Sequence, residues 1–483
     1  MRRPRTVRTC CLPRAWTRTT RSRSCSASAS TSPTAVRRRA TAVRRRATAW
    51  PARRSRQART SPDALSGSRR AVTGISIRRP RPHELDAFVR CVEAGFAVRL
   101  TPGKHEELVT DLDSERTLAA FDGLELVGTL AGYPAELTVP GPVVTAVLSL
   151  AEVSVLPTHR RRGVLTTLLD AALRAGRGRG DQLAVLASSE GGIYGRFGFA
   201  SATSHQRFVV ERARACLRDR LGARPAGRIA LLELSEALEA LPLVFDAARR
   251  QRPGELGRSA AYWEQLLVAP EEATTAPVRF VAAYEQDGLL DGYAIYSVVT
   301  DPETGSGGSV RRAVELEECC TTSDAAYVTL FSYLLGLDLT SRLRTRERPV
   351  DEPLRHMLED PRALQTTELG DGLWIRVLDV VGALGTRRDA ADGKVGFELV
   401  DEFCPWNAGR YVLEVETGTA RVASTSTEVD LVLDAAALAA CYLGGTSPVT
   451  LRTAGAVVEH VAGAAQQLER LLAWPPEPFC STT

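Results

Sequence analysis

Val153-Ser154-Val155-Leu156-Pro157-Thr158-His159-Arg160-Arg161-Arg162-Gly163-Val164-Leu165 is the stretch whose reading decides the fold. It opens on a β-branched run typical of a strand, and Pro157 ends it. Three arginines and a glycine make the turn, and a helical pattern follows over Leu165–Arg174. The first turn of such a helix leaves backbone N–H groups without internal partners, and the helix dipole adds partial positive charge. Arginines beside those donors, and a glycine that lets a ligand approach the backbone, make an anion site fit for a diphosphate. No Gly-Lys-Ser/Thr follows, so the turn is not a Walker A loop.

Working outward, Ile75–Arg78 alternates as a short strand, and Pro82–Phe96 carries a helical pattern. Residues 117–133 predict a hairpin turned at Asp122-Gly123. Leu148–Leu156 is the strand that enters the basic turn. Downstream lies a second dense stretch, Ser188-Ser189-Glu190-Gly191-Gly192-Ile193-Tyr194-Gly195-Arg196-Phe197-Gly198-Phe199.

Arg160-Arg161-Arg162-Gly163 resembles the first half of the phosphate loop of GNAT acetyltransferases. Leu165 departs where that pattern prefers Gly or Ala. The two stretches together resemble the Eis (enhanced intracellular survival) family of acetyl-CoA-dependent aminoglycoside N-acetyltransferases, over about residues 73–483. The resemblance implies that Val153, Ser154 and Val155 pair through their backbone with the pantetheine arm. It implies that Arg161, Arg162, Gly163, Val164, Leu165 and Thr166 cradle the pyrophosphate, and that Ser189 and Glu190 line the cofactor near the thioester. Tyr194 would be the acid that reprotonates the coenzyme A thiolate; a phenol is protonated at neutral pH and donates without tuning. In that family the C-terminal carboxylate is the base, which here falls to Thr483. Family chains commonly end in an aromatic residue, and this one ends Pro478-Phe479-Cys480-Ser481-Thr482-Thr483. Glu152, beside Val153, is the rival base.

The expected fold is α/β (α+β): tandem GNAT folds, the second degenerate, then a sterol-carrier-like domain. The expected divisions are a disordered tract at 1–72, a catalytic domain at 73–215, a degenerate GNAT-like domain at 216–370 and a C-terminal domain at 371–483. The second domain echoes the first, in that Arg279–Tyr284 and Asp291–Tyr296 parallel the first hairpin, and Val314–Leu316 then Tyr327–Leu335 parallel its strand and helix. Between the latter two lies Glu317-Glu318-Cys319-Cys320-Thr321-Thr322-Ser323, without a basic glycine turn, so this copy is not expected to bind coenzyme A. Trp263 suits either the substrate cleft or a helix core. In the third domain, Leu373–Leu378, Gly409–Val415 and Val429–Leu433 predict strands, and Asp434–Tyr442 and Ala456–Leu472 predict helices.

The 483 residues carry a formal charge of +5, which averages two unlike parts. Residues 1–70 hold 20 Arg and one acid, Asp63, leaving 42 Lys and Arg against 56 Asp and Glu in the rest. A polar, Arg-rich tract with a direct repeat (Ala35–Thr41, Ala42–Thr48) buries too little to order itself. It reads as an inert tail or mis-called start, with a nucleic-acid arm or targeting peptide as lesser readings. The acidic remainder attracts cations rather than nucleic acid. The ten cysteines show no C-x-x-C and the six histidines no H-x-x-x-H, so thiols in a cytoplasmic protein and no metal are expected. No apolar run is long enough to span a membrane. A small cationic amine is the expected partner, and the resemblance implies a homohexamer. The competing class is a non-catalytic ligand-binding scaffold. Protein lysine and arylalkylamines are alternative acceptors.

Overall fold

The computed structural model describes residues 74–218, 227–268, 277–301 and 311–481; the expectations for residues 1–72 and for Thr483 lie outside the described residues. The first part of the chain gives β1 (Ile75–Arg78), α1 (Leu85–Phe96), α2 (Pro102–Asp111), β2 (Leu118–Asp122), β3 (Glu125–Val139), β4 (Val143–Val155), α3 (Val164–Arg179), β5 (Leu183–Ala187) and β6 (Ala200–Ser201). The second gives β7 (Ser204–Glu211), β8 (Arg228–Leu232), α4 (Leu234–Arg249), α5 (Ala260–Leu267), β9 (Arg279–Gln286), β10 (Leu289–Thr300), β11 (Arg312–Thr321), α6 (Asp324–Gly336), β12 (Arg342–Thr345), β13 (Arg348–Pro349), α7 (Leu354–Met357), β14 (Leu364–Asp371) and β15 (Leu373–Val377). The last gives α8 (Val380–Thr386), β16 (Gly393–Val400), β17 (Gly409–Glu416), β18 (Thr419–Ser424), β19 (Leu431–Asp434), α9 (Ala435–Cys441), α10 (Pro448–Thr453), β20 (Val457–Glu459) and α11 (Ala464–Leu472).

Three sheets result, two built alike and a smaller third. The first runs β1-β2-β3-β4-β5-β15-β6, and the third runs β18-β17-β16-β19-β20. The second runs β13-β7-β12-β11-β10-β9-β8, with β14 also on β7. β4 and β5 are parallel, as are β11 and β12, so each of the two larger sheets carries the same parallel crossing through a helix. Helix α3 buries Val164, Leu168, Leu169, Ala172 and Leu173, the spacing of one helical face. Each such leucine contributes roughly 1.5–3 kcal/mol on burial. The helix continues past Arg174 through Gly176 and Gly178, because packing on the sheet offsets about 1 kcal/mol per glycine.

The two larger sheets exchange strands. β7 follows the first fold in sequence but pairs with β12, β13 and β14 of the second sheet. In return β15, expected in the third domain, pairs with β5 and β6 of the first sheet. All five β15 residues are buried, which suits an interior position, and nothing in its own pattern says which sheet it joins. Another correction concerns Ala456–Leu472. Val457–Glu459 is an edge strand on β19, and α11 begins after Gly463, a left-handed N-cap. The β-branched pair Val457-Val458 favours the ladder over the helix. Likewise β11 runs on through Glu317–Thr321, which the sequence had shown as a connection. Among the described residues no helix is long and apolar enough to cross a membrane.

Candidate active site

β4 pairs with β5 at Leu148↔Ala184 and Ser149↔Val185, and among the described residues the ladder goes no further. Beyond that point the strands part, and β4 stays bonded to β3. A register shift lies in this part of the β3–β4 ladder, where Glu152 is held at φ 50° and Thr129 Oγ1 donates to its carbonyl at 2.7 Å. A non-glycine residue in that region marks a bulge, which bends the strand and increases its twist. The result is a V-shaped opening with one wall carrying an unpaired strand edge, the geometry that accepts an extended amide arm. Ser154 presents backbone alone, because its hydroxyl is buried under α1 and donates to Cys91 O at 2.8 Å. Val153 and Val155 pack along the core shared with α3.

The basic turn closes one end of this opening. Arg161 (φ 64°) and Gly163 (φ 83°) are both left-handed. Two left-handed residues in so short a turn reverse the chain sharply into the helix N-terminus, where backbone N–H groups can hold an anion. Gly163 caps α3 with no side-chain hydrogen bond, so the helix's first N–H groups are left to an external acceptor. Arg160 is tied to Gly95 O at 3.0 Å, and Arg162 and His159 reach Asp122 at 3.0 and 3.3 Å. His159 is thus a structural residue. Arg161 is exposed and has no partner among the described residues. Val164 is buried and offers its backbone, whereas Leu165 and Thr166 are half-buried at the mouth.

On the opposite wall, β5 ends at Ala187, and Ser189 and Glu190 are exposed in the turn that follows. That turn is held by Ser188 Oγ donating to Glu190 O at 3.0 Å. Tyr194 is buried, 7% exposed, in the core cluster that includes Leu150 and Leu186 and is flanked by Val153 and Leu165. Its ring meets Phe199 edge-on at 5.9 Å. Its hydroxyl has no hydrogen-bond partner among the described residues, and burial raises its pKa, so it stays a proton donor.

Glu152 is half-buried and its carboxylate has no partner among the described residues; burial raises its pKa. Burial, with Glu152, Asp111 and Asp113 nearby, pushes the Tyr133 phenol up to about 12. Tyr133, Asp111 and Asp113 were not singled out from the sequence; the fold alone gathers them. Trp263 is helix core, 3% exposed and edge-on to Phe245 at 5.6 Å, though it also borders a cavity of about 470 Å³ with Glu136, Arg249 and Arg258.

The second fold repeats the parting of strands without the cradle. β11 pairs with β12 from Ala313 to Leu316, and among the described residues that ladder goes no further although the strand continues to Thr321. Helix α6 caps itself, Ser323 accepting from Ala326 N. The adjoining cavity, about 830 Å³, is lined by glutamates and arginines together, among them Glu318, Glu352, Arg252 and Arg348, and Glu318 and Glu352 are held in ion pairs with Arg258 and Arg348. Among the described residues no group of three His, Cys, Asp or Glu is placed to hold a metal ion.

Comparison with known proteins agrees with this geometry. Residues 76–202 and 254–377 each match an acetyltransferase (GNAT) domain, and 378–481 match a sterol carrier protein domain. An uncharacterized N-acetyltransferase of Streptomyces griseus is 33% identical over 416 residues, 84% of this chain and 99% of that protein. N-acetyltransferase Eis of Mycobacterium tuberculosis is 36% identical over 340 residues, 69% of this chain and 80% of that protein. The crystal structure of Eis1 from Mycobacterium abscessus is similar with a TM-score of 0.74 at 31% identity, covering 84% of this chain and all of that one. Two GNAT folds, the first with an uncapped helix N-terminus beside parted strands, and a sterol-carrier-like domain after them make this chain an N-acetyltransferase of the Eis family.

Proposed function

We propose that the chain transfers acetyl groups from acetyl-CoA directly to amino groups of polycationic small molecules such as aminoglycosides. The observation that carries this is the pairing of an empty-handed helix N-terminus at Gly163 with an unpaired β4 edge and the unpartnered Tyr194 hydroxyl. The diphosphate takes the N–H groups of residues 164–166 and the charges of Arg161 and Arg162. The amine loses a proton, attacks the thioester carbonyl, and a β4 backbone N–H steadies the oxyanion. The C–S bond then breaks and Tyr194 protonates the leaving thiolate. The amine's proton goes to the Thr483 carboxylate, with Glu152 as the rival acceptor. Glu152, Asp111 and Asp113 favour a cationic acceptor by concentrating it. We place the enzyme in the cytoplasm as a homohexamer, following the family resemblance.

The test is thiol release from acetyl-CoA with an aminoglycoside panel, comparing wild type, Tyr194→Phe, Glu152→Gln and a one-residue C-terminal extension. The reading predicts turnover in wild type, and loss in Tyr194→Phe and in the extended chain. A dead Glu152→Gln with a harmless extension moves the base to the strand. No thiol release with any amine, despite acetyl-CoA binding, favours the ligand-binding scaffold.

A further inference from the structure

The end of the chain is strapped along one segment. Arg252 Nη1 donates to Glu477 O at 2.5 Å, and Phe479 N donates to Pro253 O at 3.0 Å. Ser481 then gives both its donors to one carboxylate: its N and Oγ lie 3.0 and 2.9 Å from Glu255 Oε2. Thus Glu477, Phe479 and Ser481 face the segment in turn, as alternate residues of an extended chain do. Phe479 and Cys480 are buried, 5% and 1% exposed.

That segment is itself fixed to the first fold. Thr138 N donates to Glu255 O at 2.9 Å, Gly254 N to Thr138 O at 2.8 Å, and Gly257 N to Glu136 O at 2.8 Å. Arg258, the next residue of this segment, sends a fully buried side chain into the second fold. It donates to Ser481 Oγ at 2.9 Å and pairs with both oxygens of Glu318, which also accepts from Tyr293. Its guanidinium lies 3.9 Å over Phe245 and 4.8 Å over Tyr262. A charge held by a carboxylate and by these two rings, with Trp263 at 4.9 Å as a third, has little room to move. Ser481 is therefore gripped by two side chains of one segment, whose backbone is bonded to the first fold and whose Arg258 side chain is held by the second.

We propose that Glu255, Arg258 and Ser481 are a clamp that sets where the chain's carboxyl end can reach, making them positioning residues for the base of the transfer reaction. This rests on the reading of the terminal carboxylate as that base. The clamp anchors this end of the chain through polar contacts at Ser481. None of the three residues needs to touch substrate.

The test uses the full chain as wild type, Glu255→Gln, Ser481→Ala and Ser481→Thr. Each is exposed to carboxypeptidase Y, with released residues followed by mass spectrometry, and each is assayed for transfer from acetyl-CoA to neomycin. Thermal melting confirms folding. Wild type and Ser481→Thr are expected to lose Thr483 and Thr482 and then stall. Glu255→Gln and Ser481→Ala are expected to be trimmed past Cys480. In untrimmed protein these two should lose tenfold or more in kcat with the KM for acetyl-CoA unchanged, and Ser481→Thr should retain the rate. Trimming that stops at the same residue in all four proteins overturns the clamp. Deeper trimming with an unchanged kcat overturns its positioning role. A wild type that keeps its full rate after losing Thr483 sinks the carboxylate reading and the positioning role with it, while the trimming pattern still decides whether the clamp exists.

Discussion

Gly198 offers a sharp test of how the loop that carries Tyr194 is held. It lies four residues after Tyr194, at φ 81°, with its N–H bonded to Gly195 O at 2.9 Å. A Cβ there meets Arg376 Cζ at 2.8 Å, Arg376 Nε at 2.9 Å and Ala435 Cβ at 2.9 Å. Arg376 cannot swing aside: it is fully buried and holds Asp401 at 2.5 Å. Ala435 is no freer, because it opens α9. Gly198→Ala therefore incurs about 1–2 kcal/mol for the left-handed backbone and roughly 1–3 kcal/mol for overpacking. Gly195, three residues earlier, has nothing within 4 Å of its Cβ position and is the matched control. Gly195→Ala should fall within about 0.5 kcal/mol of wild type. The assay is thermal unfolding alongside thiol release. Gly198→Ala should melt about 4 °C or more below wild type and lose activity as the Tyr194 turn shifts, with Gly195→Ala melting near wild type. Equal melting of the two variants would refute the close packing of β15 and α9 behind the acid.

Three further outcomes follow from the same geometry. Tyr194→Phe removes a hydroxyl that has no partner among the described residues, so melting should hold within about 0.5 kcal/mol while transfer falls roughly 10²–10⁴-fold; a lower melting temperature would show the hydroxyl to be structural. Burial raises the Glu152 pKa, so the folded state binds more protons than the unfolded one between the two pKa values, and stability falls as pH rises through that window. Glu152→Gln should therefore melt higher than wild type at pH 8 and match it at acid pH, as thermal scans across pH would show. Asp401→Ala strands the buried Arg376 and should cost about 3–5 kcal/mol, read in the same melts.

The basic turn and the Tyr194 loop were legible because their local geometry is set by local sequence. The strand into Pro157, the three arginines and Gly163 specify their own turn, and Tyr194 sits in a stretch whose glycines and aromatics set a tight loop. The difference between the two folds at this point was also visible, since Glu317–Ser323 has no basic glycine turn and continues a strand into a helix that caps itself at Ser323. Strand exchange was not visible. Leu373–Val377 reads as a strand in any sheet, and only long-range packing places it between β5 and β6. The grip on Ser481 was equally hidden, since Glu255 and Arg258 lie in a segment with no motif and acquire meaning from contact with a residue 226 positions away in the case of Glu255.

The central claim is that one fold of two holds the acetyl donor, through the helix N-terminus at Gly163. Calorimetric titration of coenzyme A into the full chain and into an Arg161→Ala/Arg162→Ala variant tests it most directly. The account predicts one molecule per chain, bound at least tenfold more weakly by the variant. Two molecules per chain, or unchanged affinity in the variant, would contradict it.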